Sequence, residues 1–160
     1  MATGETPSAL DPTVLRPVAA GVALVVAIAH LFHPTLGFPR LVEHLRLGTL
    51  YDPRPMLFTL SAVAIVAGVL LAYNGVRRQP LYVGGIVLIV AYLAGYGAWH
   101  TVLEHGGFWP HIEAHGHHDM GHAAVVVDHL LDDAWALVSK VVEAALLVLL
   151  VALLAIDDEA

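Results

Sequence analysis

The sequence contains no cysteine, which excludes disulfide bonds, thiolate catalysis, iron–sulfur clusters and cysteine-bound zinc. Lysine is almost absent as well, because Lys140 is the single lysine among the 7 basic residues. Charged residues make up only 13% of the chain, whereas a soluble domain has about a quarter. The formal net charge of −7 argues against nucleic acid as a partner, since phosphate binding needs a basic surface.

Apolar residues, in contrast, make up 58% of the 160 residues, and they are concentrated in four long blocks. A block of about twenty apolar residues is long enough to cross the hydrocarbon core of a bilayer. We therefore predict spans over 13–33, 56–76, 81–101 and 134–156. The sequence indicates an all-α integral membrane protein, an up-down bundle of four transmembrane helices in a single domain over 13–156. Residues 1–12 form a predicted disordered tail and 157–160 an acidic tail.

Two shorter helices are predicted between the spans. Residues 38–51 have apolar side chains on one face and charged ones on the others, the pattern of a helix lying on the membrane surface. Residues 123–131 are apolar enough for a helix that runs directly into the fourth span. At the start of the first span, Asp11 is a helix cap and Pro12 fits the first helical position.

Four spans place both termini and the Arg77-Arg78 turn on one side, and loops 34–55 and 105–133 on the other. Basic residues favour the cytoplasmic side, so this turn predicts that both termini are cytoplasmic in a multi-pass protein of the cell membrane. The arginines of loop 34–55 argue against that orientation. An alternative is cleavage of the first span after Ala29, since residues 27–29 resemble a signal-peptidase site.

Histidine placement is the most informative feature of the sequence. This topology puts all 11 histidines on a single side of the membrane, and seven of them lie within residues 105–129. Imidazole is the commonest protein ligand for zinc and copper near neutral pH. Acidic residues interleaved with these histidines can ligate a metal or orient a ligating imidazole. The pattern predicts a His-rich external loop that binds a transition metal, copper or zinc.

The predicted metal ligands come from the ends of two spans and from the loop. Within the loop, His111 and His115, like His118 and His122, are spaced four apart, which places two rings on one face of a helix. In the arrangement we favour, the helix ends supply rigid ligands and the loop closes over them. The full predicted set is His30, His33, His100, His105, His111, His115, His117, His118 and His122.

Other interpretations of the same residues remain open. The loop is equally compatible with a solvated segment that binds metal loosely or not at all. His30 and His100 are at similar predicted depth on different spans, so they are candidate axial ligands of a b-type haem in a redox subunit acting with a quinone or respiratory complex. Lys140 and Glu143 form either an interfacial pair or one end of a proton path.

No motif of an enzyme is present, since the sequence lacks a phosphate loop, a nucleophile elbow and a zincin motif. We therefore expect binding rather than catalysis. Besides metal handling and haem binding, a third hypothesis is a non-catalytic assembly subunit. The expected partners are the lipid bilayer and either another membrane protein or further copies of the chain.

Overall fold

A computed structural model describes residues 11–49, 51–106 and 120–157, and all regular structure in these ranges is helical. Four helices are long and apolar enough to cross a membrane: α1 (Pro12–Leu31), α3 (Arg54–Tyr73), α4 (Arg78–His100) and α6 (Ala134–Ile156). Two shorter ones are α2 (Phe38–Leu47) and α5 (His122–Asp132). A 3-10 turn over Glu104–Gly106 follows α4.

Local chemistry explains several of the helix ends. The Asp11 carboxylate accepts a hydrogen bond from the Thr13 backbone N–H, as predicted. Asp133 adopts an extended conformation and its carboxylate accepts from two backbone N–H groups of α6, so it ends α5 and caps α6. The predicted continuous helix from 123 into the fourth span is therefore broken at this residue. Gly48 ends α2 with φ at 66°, a left-handed conformation that costs glycine little.

The observed helices are shifted slightly from the predicted spans. The first long helix ends at residue 31 rather than 33, and the second covers 54–73 rather than 56–76. The third begins at residue 78 rather than 81. The helix can include Pro80 because this residue lies in the first turn, where a backbone N–H has no partner within the helix and the N–H that proline lacks is not needed. The interfacial helix ends at residue 47, four residues before its predicted end.

Contacts between distant residues show which ends of the long helices lie together. At one end of the bundle, Asp157 after α6 accepts hydrogen bonds from Arg16 of α1 and Tyr82 of α4. Toward the other end, His30 of α1 contacts Ser61 of α3. These contacts place the C-terminal end of α6 beside the N-terminal ends of α1 and α4, and the C-terminal end of α1 beside the N-terminal half of α3.

The core lies along the line where α1 and α6 meet, with α3 packed against α1 and α4 against α6. Its fully enclosed members include Val26, Ala62, Ile89 and Leu146. At residue 85 the two helices α4 and α6 come close: a Cβ added to Gly85 would lie 2.8 Å from Leu150 Cδ1. Most other large apolar side chains of the long helices point outward and are exposed.

Candidate metal centre and a buried polar network

Three histidines meet beyond the last turn of α4. His100 is the last residue of α4, His105 lies in the 3-10 turn, and His129 belongs to α5, which packs against α4. Each offers one ring nitrogen, and these three atoms all lie within 4.8 Å of one another. We call this group the histidine triad. All three residues are half-buried, so the site is shielded but accessible.

The backbone of the 3-10 turn brings the second member of the triad into place. Glu104 and His105 both have positive φ, at 44° and 56°. Two consecutive non-glycine residues in this region are uncommon, and each costs of order 1–3 kcal/mol. The turn folds the chain back on the end of α4, so that the His105 ring lies against the His100 ring with centroids 4.8 Å apart. Strain of this kind is typical of functional sites.

The distances within the triad fit a metal ion. His105 Nε2 lies 2.9 Å from His100 Nδ1 and 3.2 Å from His129 Nε2. With Zn–N bonds of about 2.0–2.1 Å, tetrahedral geometry separates two ligand nitrogens by about 3.3 Å. Small shifts of the rings would thus allow all three nitrogens to contact one ion. Three imidazoles plus one open position is the ligand set of several zinc sites.

A hydrogen bond outside the triad sets the protonation pattern inside it. His129 Nδ1 lies 2.9 Å from the backbone oxygen of Val125, which can only accept a hydrogen bond. In neutral His129 the proton therefore resides on Nδ1, and the lone pair of Nε2 points toward His105. Metal-bound histidines are commonly oriented by such a bond from the second ring nitrogen to a carbonyl. The geometry thus prepares a nitrogen lone pair for a cation.

The structure brings together only part of the predicted ligand set. His100 and His105 lie in the triad, whereas His30 and His33 lie outside it with their ring nitrogens in contact with other residues. His122 begins α5 with its side chain exposed, and it is not a member of the triad. The remaining predicted ligands lie outside the described residues: His111, His115, His117 and His118.

His129 was absent from the predicted ligand set, although the sequence contained a signal for it. It lies four residues after Val125, the one buried residue of α5, so both are on the same face of this amphipathic helix. That face packs against α4 and α6. A histidine on the apolar face of a short helix was therefore a candidate as well.

A second polar cluster lies inside the bundle. Glu143 of α6 is fully buried, and its Oε1 lies 2.9 Å from His30 Nε2 of α1. Lys140 Nζ donates to both carboxylate oxygens, at 2.8 and 2.6 Å, and Ser139 donates to Oε1 at 2.9 Å. We call these residues, with Ser61 and Tyr92, the buried network. Glu143 is the tenth residue of α6, about 14 Å along the helix at 1.5 Å per residue, and so close to its middle.

All four long helices contribute to the buried network. His30 Nδ1 lies 3.4 Å from Ser61 Oγ of α3, and that oxygen lies 2.8 Å from the Tyr92 hydroxyl of α4. The His30 ring also packs against the Tyr92 ring, with centroids 4.3 Å apart. A continuous chain of hydrogen-bonding atoms thus leads from Tyr92 through both nitrogens of His30 to Glu143. The Ser61 hydroxyl also donates to the Phe58 backbone oxygen, so its remaining contacts with Tyr92 and His30 are made as an acceptor.

The buried network bears on two predictions. Lys140 and Glu143 form the predicted pair, but it lies inside the bundle rather than at its edge. For the haem hypothesis, His30 would have to give up its contact with either Ser61 or Glu143, because one ring nitrogen binds the iron, and His100 belongs to the triad. The haem assignment of these two histidines stays a prediction without a structural observation in its favour.

His33 lies just after α1, and its ring contacts Phe58 and Trp135. Burial lowers the pKa of His33 below its usual value, and the nearby Asp133 offsets only part of this effect. The backbone N–H groups of Thr35 and Leu36 donate toward His33 Nδ1, which suits a neutral ring. His33 thus orders the loop after α1 and remains outside the triad.

No protein-family model matches this chain, and comparisons with curated proteins and with solved structures also found no match.

Proposed function

We propose that this chain is a multi-pass membrane protein that binds zinc or copper at the histidine triad. The membrane part of the proposal is supported by the exposed apolar side chains on the outer faces of all four long helices. On α3, for example, Leu57, Leu60, Val63 and Leu70 are all more than half exposed. In water such a surface would aggregate, whereas lipid is a suitable solvent for it.

The orientation follows from which helix ends lie together. The triad lies at the end of α4, near the start of α6, and α2 would lie at the membrane surface on the same side. The opposite side carries Arg77 and Arg78 in the turn between α3 and α4. Applying the positive-inside rule to this turn, we propose that the triad faces the outside of the cell membrane and that both termini are cytoplasmic.

The observation that carries the metal proposal is the convergence of three imidazole nitrogens within 4.8 Å. Zinc and copper(II) both accept this ligand set, while the lack of cysteine removes the soft thiolates that select copper(I). Water is a suitable fourth ligand, as in zinc sites that keep one position open. The role is metal handling or sensing, or metal-dependent assembly with a membrane partner.

Titration of the detergent-purified, metal-free protein with Zn²⁺ and Cu²⁺, followed by calorimetry, tests the proposal. We expect one tight site per chain. His129→Ala removes one ligand, and it should weaken binding at least 10- to 100-fold, the loss seen even for residues that only orient a ligand. His105→Ala should have the same effect.

His122→Ala is the matched control, because His122 lies on the same helix as His129 but is exposed and outside the triad. It should change the affinity by less than about threefold, a small part of the loss expected for a ligand. If His122→Ala and His129→Ala weaken binding equally, the triad is not the specific site and the proposal fails. If neither matters, there is no specific site here.

The affinity should fall as the pH is lowered, because a metal binds only unprotonated imidazole and therefore competes with protons. Three ligands predict a pH dependence steeper than that of one imidazole, with proton release on binding. Calorimetry in buffers of different ionisation enthalpy counts the released protons. An affinity that is constant from pH 7.5 to pH 5.5 would contradict ligation by histidine.

A further inference from the structure

A cleft of about 650 Å³ opens between α3 and α4, at the end of the bundle opposite the triad. These two helices touch each other much less than the other neighbouring long helices do. The side walls come from α3 and α4, while α1 and α6 supply the remaining lining. We call this opening the α3–α4 cleft. Its volume lies within the usual range of ligand pockets, about 300–1,000 Å³.

Small residues create the space. A Cβ added to Gly68 on α3 or to Gly84 on α4 would have no atom within 4 Å, apart from the local helix backbone. Both walls of the cleft therefore have open space where a larger residue would place its side chain. The inner end is closed by Ile65, Ile89 and Leu146 of the packed core. The cleft is therefore an apolar slot with a floor, separate from the buried network.

The length of the slot matches one leaflet of a bilayer. On α4 the lining extends from Arg78 to Ile89, which is about 16 Å at 1.5 Å per residue. Half the hydrocarbon thickness of a typical bilayer is about 15 Å. A chain that enters at the membrane surface would thus reach the floor of the slot near the bilayer midplane.

Charge is confined to the mouth. Arg16 and Arg78 are the charged residues of the lining, and no acidic residue is among the described lining residues. Asp157 pairs with Arg16 nearby and also accepts a hydrogen bond from the Tyr82 hydroxyl. An apolar slot with an arginine-bearing mouth is complementary to an amphiphile that has an apolar chain and an anionic head.

We propose that the α3–α4 cleft binds one hydrocarbon chain of an anionic membrane lipid, with the lipid phosphate at Arg78. The proposal rests on the membrane placement above but not on the metal site. Arginine suits this role because its planar group can donate two parallel hydrogen bonds to a phosphate. The lipid would fill the gap between α3 and α4 and complete the bundle on its cytoplasmic side.

Native mass spectrometry of the detergent-purified full chain tests the proposal. The protein is incubated with phosphatidylglycerol or phosphatidylcholine that carry identical acyl chains. We expect one retained phosphatidylglycerol per chain, at least tenfold more than phosphatidylcholine, and no displacement by millimolar inorganic phosphate. Equal retention of both lipids would refute recognition of the anionic head. Displacement by phosphate would identify a simple anion site instead.

Variants locate the bound chain. Gly84→Leu and Gly68→Leu, on opposite walls, should each reduce retention at least tenfold by filling the slot. Gly95→Leu is the matched control, because Gly95 is exposed on the same helix as Gly84 and outside the cleft. Arg78→Gln should abolish the preference for phosphatidylglycerol. Two variants keep the test valid if one of them fails to fold, and wild-type retention in a folded wall variant would overturn the proposal.

The test separates this inference from the membrane placement. If the purified chain stays monodisperse in buffer without detergent, the membrane placement itself is refuted, and the lipid site with it. If the chain needs detergent but Gly84→Leu and Gly95→Leu retain the lipid equally, only the proposed occupant of the cleft is refuted.

Discussion

The pair formed by Lys140 and Glu143 allows a sharp energetic prediction. The Glu143 side chain is 0% exposed and the Lys140 side chain only 12% exposed, and three hydrogen-bond donors surround one carboxylate. Removing one partner of a buried ion pair costs about 3–5 kcal/mol, because the other charge is left without compensation. Lys140→Met and Glu143→Leu should each destabilise the bundle by that amount.

A double variant tests whether Lys140 and Glu143 stabilise each other. Lys140→Met combined with Glu143→Leu removes both charges and leaves mainly His30 and Ser139 without their acceptor, a loss of about 1–3 kcal/mol. We therefore expect the double variant to be no less stable than either single variant, with a coupling energy of at least about 2 kcal/mol. Replacing a buried pair by apolar residues is often neutral or stabilising.

Reversible unfolding in mixed micelles, followed by circular dichroism, measures these free energies. Val141→Leu serves as the control, because Val141 is on the same helix and exposed on its outer face; it should change stability by less than about 0.5 kcal/mol. Single-variant losses that simply add in the double variant would refute the reasoning, since they would show that the two side chains do not interact.

Three further predictions concern other parts of the bundle. The lowered pKa of His33 means that the unfolded chain binds more protons, so stability falls as the pH drops below about 6.5, and His33→Leu should flatten that slope in acid unfolding curves. Asp157→Asn should destabilise the end where Arg16 is paired, by about 1–3 kcal/mol, measured as the midpoint of thermal unfolding. Gly85→Leu should cost about 1–3 kcal/mol by overpacking, because the end of the Leu150 side chain must move to admit the new side chain; unchanged stability in thermal unfolding would contradict overpacking at this position.

Local sequence patterns determined where the helices lie. Long apolar runs predicted four long helices because helical rise per residue and apolar length are properties of a contiguous segment. The Asp11 cap was predictable for the same reason, since its hydrogen bond spans only two residues. The break at Asp133 was missed because a carboxylate inside an apparently helical stretch can cap a new helix as well as sit on an exposed face.

The contacts within the triad and the buried network depend on packing between segments that are distant in the sequence. His105 and His129 are 24 residues apart, and His30 and Glu143 are 113 apart. The sequence predicted that the histidines gather toward one end, because chain direction would alternate between successive spans. Which of them touch depends on helix rotation, on the backbone turn at His105 and on how α5 docks, and these follow from the summed packing of the whole bundle. The tertiary structure therefore separated one predicted cluster into a candidate metal centre and a buried network.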